Sequence, residues 1–279
     1  MAGVALLRLR VRSLAPTAGG SSLPVFRVVD QRGRRFALRL GSLAAAPILD
    51  REARNLQAAA ALGIPCPTVV RRADDGVVST LLTSWEPGVP MGHALQANPA
   101  ALPDLARQAG RLQARIHALG TGVPTADLGQ GWARPASAAE SEAYEACPDD
   151  GPMTLLHLDF HPLNLLVHRR RISAVLDWVN AGLGDARRDV ARTAAILALD
   201  VVPPTSPLRG LVDEMLRNWL RGYEDVAGKL RDMRPYMVWA GHATIRDIEA
   251  KRPWDHIAAM RTVVASWQEG RGSVPGVPW

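Results

Sequence analysis

The chain has 279 residues, of which 47% are hydrophobic and 22% are charged. These proportions are close to those of ordinary globular proteins, so a fibrous chain and a wholly disordered chain are both excluded. The 33 basic and 27 acidic residues leave a net charge of +6, which raises the question of an anionic partner such as nucleic acid or a membrane surface.

Residues 1–86 are predicted to form a small lobe rich in β-strands. Asp50 is a good N-cap and predicts a helix over about 51–62, which Gly63 and Pro65 would end. The turn residues of 86–88 then interrupt the pattern, so we place the lobe boundary there. Alternating apolar and polar residues predict the strands of this lobe, over 4–12, 23–30, 35–40, 67–72 and 77–83.

Residues 87–279 are predicted to form a larger, mainly helical lobe. Apolar residues recur with the helical period from Leu102 to Leu119, and Gly120 would end that helix. Ser137 predicts the cap of a short helix over 137–147. Later helical patterns lie near 187–199, 208–227, 236–250 and 254–269. The fold class expected from both lobes is α+β.

A hairpin in the second lobe is predicted to collect oxygen-bearing side chains. Residues 165–167 and 172–176 indicate two short strands, and this pairing would bring Asn164 opposite Asp177. Asp159 lies on the loop just before. An amide oxygen and carboxylates that converge on one point suit Mg²⁺, which prefers oxygen ligands and shares them with substrate phosphates.

The motif His157-x-Asp159-x4-Asn164, followed by Asp177-Trp178, resembles the signature of the aminoglycoside phosphotransferase and choline kinase superfamily. The resemblance implies a bilobal, protein-kinase-like fold: an N-terminal nucleotide-binding lobe over 1–86 and a catalytic, acceptor-binding lobe over 87–279. It also implies transfer of the γ-phosphoryl group of ATP or GTP, with Mg²⁺, to a hydroxyl of a small polar molecule. That acceptor would be an aminoglycoside-like antibiotic, or a metabolite such as a sugar or an amino alcohol.

The resemblance assigns a role to each matching position. Asp159 would orient the acceptor hydroxyl and take its proton, and Asn164 and Asp177 would hold Mg²⁺. A further set would bind the nucleotide: the phosphate loop Gly19, Gly20, Ser21 and Ser22, the phosphate-binding Arg39 with its helical partner Glu52, and the hinge residues Ser84 and Trp85. Asp189 is expected to cap the helix that follows and to tie it to the catalytic loop, and Asp185 is expected either to do the same or to lie beside the metal ligands. His157 is expected to be structural, and His161 exposed or structural.

Three positions depart from the family pattern. Leu158 and Leu163 stand where relatives commonly have glycine, and Arg39 stands where relatives have lysine. A guanidinium binds phosphate as a planar fork, so the replacement of lysine changes the geometry of nucleotide binding. Arg39 therefore favours an alternative, a catalytically silent binding or regulatory protein that keeps the kinase fold.

Cysteine content, hydropathy and charge limit the compartment and the partners that we expect for this chain. Cys66 and Cys147 are too few for a disulfide framework, and no stretch reaches the about 18 apolar residues that span a membrane, so we expect a cytoplasmic protein. The net charge alone suggests nucleic acid, but no recognised nucleic-acid module is present. Segment 121–150 carries six acidic residues against one arginine, which suits either a cationic acceptor or a solvated acidic helix. We expect a nucleotide and a small acceptor as partners, no nucleic acid, no membrane, and a monomer or a homodimer.

Overall fold

Five antiparallel strands form a sheet near the start of the chain. In the computed structural model, which describes residues 9–17, 23–123, 128, 135–203 and 206–278, their order is β1-β2-β3-β5-β4. Val28, Leu38 and Leu82 form a small apolar core on one face of the sheet. The strands are β1 (Val11–Pro16), β2 (Val25–Asp30), β3 (Arg35–Ser42), β4 (Val69–Asp74) and β5 (Val78–Ser84). The first strand extends past the end that the sequence predicted, and the predicted portion over 4–8 lies outside the described residues.

Helix α1 (Ala46–Ala61) connects β3 to β4. The sequence prediction that this helix begins at residue 51 with Asp50 as its N-cap is wrong. The helix begins earlier, with Pro47 in its first turn, where the missing N–H of proline leaves no hydrogen bond unmade. Asp50 lies inside the helix, and its Oδ1 is 2.8 Å from Nε of Arg72 in β4. Asp50 therefore joins the helix to the sheet.

Seven helices and five short strands follow β5 in the described residues. The prediction that Ser137 caps a short helix is confirmed, because its side chain accepts the N–H of Glu140. The helices are α2 (Met91–Ala97), α3 (Leu102–Leu119), α4 (Ala138–Glu145), α5 (Ala186–Leu199), α6 (Arg209–Ala227), α7 (Arg234–Ile248) and α8 (Trp254–Gln268). The strands are β6 (Val89–Pro90), β7 (Met153–Leu156), β8 (Leu165–His168), β9 (Arg171–Val175) and β10 (Gly182–Asp185).

Helices α3 and α6 cross in close contact at two glycines. A Cβ atom placed on Gly110 of α3 would lie 1.9 Å from the backbone oxygen of Trp219 in α6. A Cβ atom placed on Gly222 of α6 would lie 2.2 Å from the backbone oxygen of Arg107 in α3. Neither glycine leaves room for a methyl group, so backbone packs directly against backbone at this crossing.

One continuous apolar core joins α1 to the helices of the second lobe. It includes Leu56 of α1, Leu105 of α3 and Trp239 of α7, all buried. The fold is the α+β, bilobal, protein-kinase-like arrangement that the sequence predicted, and the division of the chain into 1–86 and 87–279 stays a prediction. Within the described ranges, no helix has both the length and the hydropathy that a membrane crossing requires.

Candidate active site

The hairpin of β8 and β9 brings Asn164 and Asp177 towards each other. Its pairing shifts register between Leu166 and Val167. His168 pairs with Arg171, so the turn is shorter than the sequence predicted, and even with this shift the residue opposite Asn164 is Leu176. The Asn164 backbone oxygen accepts the N–H of Leu176 at 2.8 Å, and the predicted pairing of Asn164 with Asp177 is wrong. Asp177 is the next residue, so the predicted register was wrong by one position while both side chains still belong to the open end of the hairpin.

Asp159 lies on the loop between β7 and β8, and Asn164 fixes its carboxylate. The Nδ2 atom of Asn164 donates to Asp159 Oδ2 at 3.0 Å and to the Asp159 backbone oxygen at 2.9 Å. The His161 Nε2 atom lies 3.7 Å from Asp159 Oδ1, so His161, which was expected to be exposed or structural, is half-buried beside this carboxylate. Burial by itself raises the pKa of Asp159, but the interaction with nearby His161 outweighs it and lowers that pKa to about 2. Asp159 is therefore ionised at neutral pH.

Arg39, Glu52 and Asp177 meet between the sheet and the second lobe. The Arg39 Nη1 atom lies 2.8 Å from Glu52 Oε2 and 3.4 Å from Asp177 Oδ1, and Nη2 lies 3.4 Å from Asp177 Oδ2. All three side chains are largely buried, at 15%, 4% and 10% exposure respectively. Burial raises the pKa of Glu52 to about 7, against the opposing effect of Arg39. The predicted partnership of Arg39 with Glu52 is thus present, and Asp177 is a third member.

The oxygen atoms at this point fit a magnesium ion that is shared with a nucleotide. Because the amide nitrogen of Asn164 is bonded to Asp159, its carbonyl oxygen is the atom that remains for a cation. Asp177 adds a carboxylate. In the described part of the chain, no group of three or more His, Cys, Asp or Glu could hold a metal alone. Two hard oxygen ligands without an all-protein cage are typical of Mg²⁺ bound together with substrate phosphates.

Asp189 is hydrogen-bonded to the backbone of the loop that carries Asp159. It is fully buried, and its Oδ1 accepts the backbone N–H of Leu158. Its Oδ2 accepts Nε2 of Gln113 at 3.0 Å and lies 2.9 Å from Nε2 of His117, whose Nδ1 is 2.8 Å from the Tyr223 hydroxyl. Burial opposes the charge of Asp189, yet these partners, His117 first, lower its pKa. The residue beside Asp159 is therefore anchored to α3, α5 and α6.

The N-cap of α5 is Asp185, and not Asp189 as the sequence predicted. Asp185 accepts the backbone N–H of Arg187 at 2.9 Å, while Asp189 lies one turn inside the helix. The other half of the prediction for Asp189, its tie to the catalytic loop, is confirmed. The tie matters because Leu158, where relatives commonly have glycine, has a positive φ of 62°. The N–H of Leu158 is held by Asp189, and its carbonyl accepts Nε of Arg192 at 3.4 Å.

The segment around Asp177 is pinned by His157 and by the first lobe. His157 is fully buried, its Nε2 lies 2.9 Å from the Leu176 backbone oxygen, and its ring packs edge-on against Trp178 with centroids 4.7 Å apart. Burial lowers the pKa of His157, so its expected structural role is confirmed. Asn55 of α1 donates to the Trp178 backbone oxygen at 2.7 Å. The backbone on both sides of Asp177 is therefore fixed.

The predicted nucleotide-binding residues are described in part. Ser84 ends β5, and its Oγ accepts the N–H of Thr68 at 2.8 Å and donates to Glu86 Oε1 at 2.5 Å. Trp85 follows and is half-buried. Glu86 thus braces the predicted hinge through Ser84, a contact that the sequence did not indicate. The predicted phosphate loop, Gly19, Gly20, Ser21 and Ser22, lies outside the described residues.

Acidic residues of segment 121–150 are paired with arginines of the second lobe. Glu140 is buried at 1% exposure, so it is not a solvated charge. At the paired positions, arginines of the protein balance the negative charge that was predicted to attract a cationic acceptor. Asp127, another acidic residue of the segment, lies outside the described residues. The ion pairs are Glu140 with Arg246, Asp149 with Arg188, and Asp150 with Arg187.

Arg192 and Asp247 are two further charged residues near Asp159, and the sequence analysis did not identify either of them. Arg192 of α5 is buried and donates to Thr244 Oγ1 at 2.6 Å and to Asp247 Oδ2 at 2.8 Å, both on α7. The Asp247 side chain is 26% exposed, and burial raises its pKa, with Asp159 adding to the effect. These contacts join helices that are some fifty residues apart in the chain, so no local pattern could have indicated them.

Comparison with known proteins agrees with this geometry. The profile of the phosphotransferase enzyme family (APH) matches residues 13–236. Aminoglycoside phosphotransferase APH(4)-Ia is 21% identical, with 94% of this chain and 95% of that chain covered and a TM-score of 0.65. Amicoumacin kinase hAmiN, solved with AMP-PNP, Ca²⁺ and Ami, is 14% identical, with coverage of 100% and 93% and a TM-score of 0.70.

A mouse protein, acyl-CoA dehydrogenase family member 10, is 28% identical over 204 residues, which are 62% of this chain. The matched part is only 19% of that protein, so the chain spans about a fifth of its length. The structural likenesses establish the kinase-like fold, and the family match extends over most of the chain, including Asp159, Asn164 and Asp177. The chain belongs to the phosphotransferase enzyme family (APH).

Proposed function

We propose that the chain transfers the γ-phosphoryl group of ATP or GTP to a hydroxyl of a small polar molecule in the cytoplasm, with Mg²⁺. The observation that carries this proposal is the convergence of one ionised carboxylate, Asp159, with two oxygen ligands and a guanidinium contributed by both lobes. Phosphoryl transfer needs positioned charge more than covalent help from the protein, and these groups supply it.

Asp159 is the residue that acts on the acceptor. With its pKa at about 2, it is ionised and accepts a hydrogen bond from the acceptor hydroxyl. Asn164 holds one carboxylate oxygen at 3.0 Å, which leaves the other oxygen to orient the hydroxyl. Such a weak base takes the proton late, once the bond to phosphorus is forming.

The remaining site residues act on the nucleotide. Asn164 and Asp177 would hold Mg²⁺, which supplies neutralisation of the phosphate charge when it is bound. Arg39 binds phosphate oxygens while Glu52 holds the other side of its guanidinium at 2.8 Å. We further propose that Gly19, Gly20, Ser21 and Ser22 line the phosphates and that Ser84 and Trp85 border the base.

The acceptor is an aminoglycoside-like antibiotic, or a sugar or amino-alcohol metabolite. Support for the antibiotic class comes from the relatives, since one APH(4)-Ia structure is a ternary complex with ADP and hygromycin B.

Phosphoryl transfer by the purified protein tests this proposal. Product formation is measured across a panel of aminoglycosides, sugars and amino alcohols, with ATP or GTP and Mg²⁺. Asp159→Asn is the matched control, because it keeps the shape of the side chain and removes its charge. Transfer by the wild type that the variant loses supports the proposal, and equal transfer by both proteins would refute the role of Asp159.

One observation favours a second candidate, a silent binding protein. Arg39 contacts Asp177, a proposed metal ligand, as well as Glu52. Such a protein would bind Mg²⁺-nucleotide, which stabilises the folded state by about 2.7 kcal/mol at a hundredfold excess over Kd, and would transfer nothing. A thermal shift with Mg²⁺-ATP, combined with no product on the whole acceptor panel, would select this candidate.

A further inference from the structure

Arg39 shares one guanidinium between the two lobes of the protein. Its Nη1 atom lies 2.8 Å from Glu52, while Nη1 and Nη2 each lie 3.4 Å from a different oxygen of Asp177. The contact with Glu52 is a short, charge-assisted hydrogen bond, and the two contacts with Asp177 are longer. Arg39 is therefore held firmly on one side and loosely on the other.

Lysine, the family's usual residue at this position, could not make this arrangement. An ammonium is a compact point charge on a flexible stem, whereas a guanidinium presents its N–H groups in a fixed fork. The fork covers both carboxylate oxygens of Asp177 without leaving Glu52. In this chain, then, the arginine occupies the carboxylate that is also the proposed ligand for Mg²⁺.

The Arg39–Asp177 contact joins a long side chain to a residue whose backbone is held in place. Asp177 has a left-handed backbone, with φ of 59°. Leu176 before it donates to Asn164 at 2.8 Å, and Trp178 after it accepts from Asn55 at 2.7 Å. The backbone that carries Asp177 is therefore fixed, whereas the long Arg39 side chain can change its rotamer.

We propose that Arg39 is a latch on Asp177, which the phosphates of the nucleotide open. Without nucleotide, the guanidinium covers both carboxylate oxygens and competes with a bare cation for them. Phosphate oxygens draw the guanidinium away and release the carboxylate for Mg²⁺. Arg39 is thus a positioning residue that makes phosphate and metal bind cooperatively, and by linkage each raises the affinity for the other by the same factor. The inference rests on the proposed function, because it concerns the same phosphate and metal sites.

Titration with Mn²⁺, followed by electron paramagnetic resonance of the free ion, tests the latch without any turnover. Arg39→Lys is the decisive variant, because it keeps the positive charge and loses the fork. We expect it to bind bare Mn²⁺ about three- to tenfold more tightly than the wild type, as release of one partly buried ion pair permits. In the presence of AMP-PNP, the two proteins should bind Mn²⁺ with similar affinity.

Two controls separate the latch from general electrostatics. Arg35→Lys makes the same exchange on the same strand at an exposed position and should leave the affinity for bare Mn²⁺ unchanged. Asp177→Asn should weaken Mn²⁺ binding in every background. If Arg39→Lys is poorly folded by circular dichroism, Arg39→Met takes its place, with Arg35→Met as its control, and should give a larger gain.

The failure of the latch and the failure of the proposed function give different results. Equal or weaker binding of bare Mn²⁺ by the folded Arg39 variant, while Mn²⁺ and AMP-PNP still bind together, overturns the latch alone. Absence of Mn²⁺ binding in all of these proteins, with and without AMP-PNP, overturns both. Tighter binding of bare Mn²⁺ that is confined to the Arg39 variants establishes the latch.

Discussion

Replacement of Gly222 by alanine is expected to destabilise the protein, although the same replacement elsewhere in α6 is expected to stabilise it. A Cβ atom at Gly222 would lie 2.2 Å from the Arg107 backbone oxygen and 2.8 Å from the Arg107 carbonyl carbon. These atoms belong to the backbone of α3 and cannot rotate away. A Cβ atom at Gly210, in the first turn of the same helix, would meet no atom within 4 Å.

The geometry sets the size of the two effects. An acceptable Cβ–oxygen contact at residue 222 requires a separation of α3 and α6 by about 1 Å, which loosens buried Trp219 and Tyr223. Overpacking of this kind costs about 3 kcal/mol, while alanine in a helix regains about 1 kcal/mol. We therefore expect Gly222→Ala to lose about 2 kcal/mol and Gly210→Ala to gain up to about 0.5–1 kcal/mol.

Thermal or urea unfolding of both variants beside the wild type measures this difference. A loss of about 2 kcal/mol corresponds to a Tm lower by roughly 4–8 °C for a chain of this size. If Gly222→Ala is as stable as the wild type, or if both variants shift in the same direction, the close contact of α3 with α6 does not decide the choice of glycine, and the reasoning fails.

Three further results are expected. Asp159→Asn should lower kcat by about 10²–10⁴-fold with nucleotide affinity retained, as measured by product formation and calorimetry, and a loss below tenfold would contradict its role. Asp189→Asn should cost about 2–3 kcal/mol of unfolding free energy, because a buried acceptor of Leu158 and Gln113 is disrupted, and unfolding in urea checks it. The folded-state pKa of Asp159, about 2, lies below the unfolded value of about 3.9, so its stabilising contribution is present above pH 4 and fades below it. The stability gap between wild type and Asp159→Asn should therefore narrow from pH 5 to pH 3, and a gap that widens would reverse the sign of the shift.

Features with a local cause could be predicted from the sequence. The helix from Leu102 to Leu119 ends before Gly120 as its apolar period indicated, and Ser137 caps α4 through its own side chain. Asp159 and Asn164 were found because their spacing within one loop and hairpin carries the chemistry. The roles of Asp159 and Asn164 in catalysis stay predictions.

Features that depend on a register or on distant helices could not be predicted. The β8–β9 hairpin turns over only two residues, 169 and 170, and shifts register between Leu166 and Val167, and the alternation of side chains records neither feature. Arg192 meets Asp247 only because α5 packs against α7, and nothing near either residue in the chain signals it. The start of α1 was misplaced because its N-cap, Ala45, makes no side-chain capping hydrogen bond, so the capping side chain of Asp50 suggested a later start.

The hydrogen bond from Asn55 to Trp178 joins a helix of the first lobe to the second lobe. Asn55 is wholly buried, and α1 shares its apolar core with the second lobe. Helix α1 is therefore tied to the second lobe through Asn55 and to the sheet through Asp50 and Glu52. The ion pair of Arg39 with Glu52 thus continues a series of contacts that runs from the sheet through α1 to the segment next to Asp177.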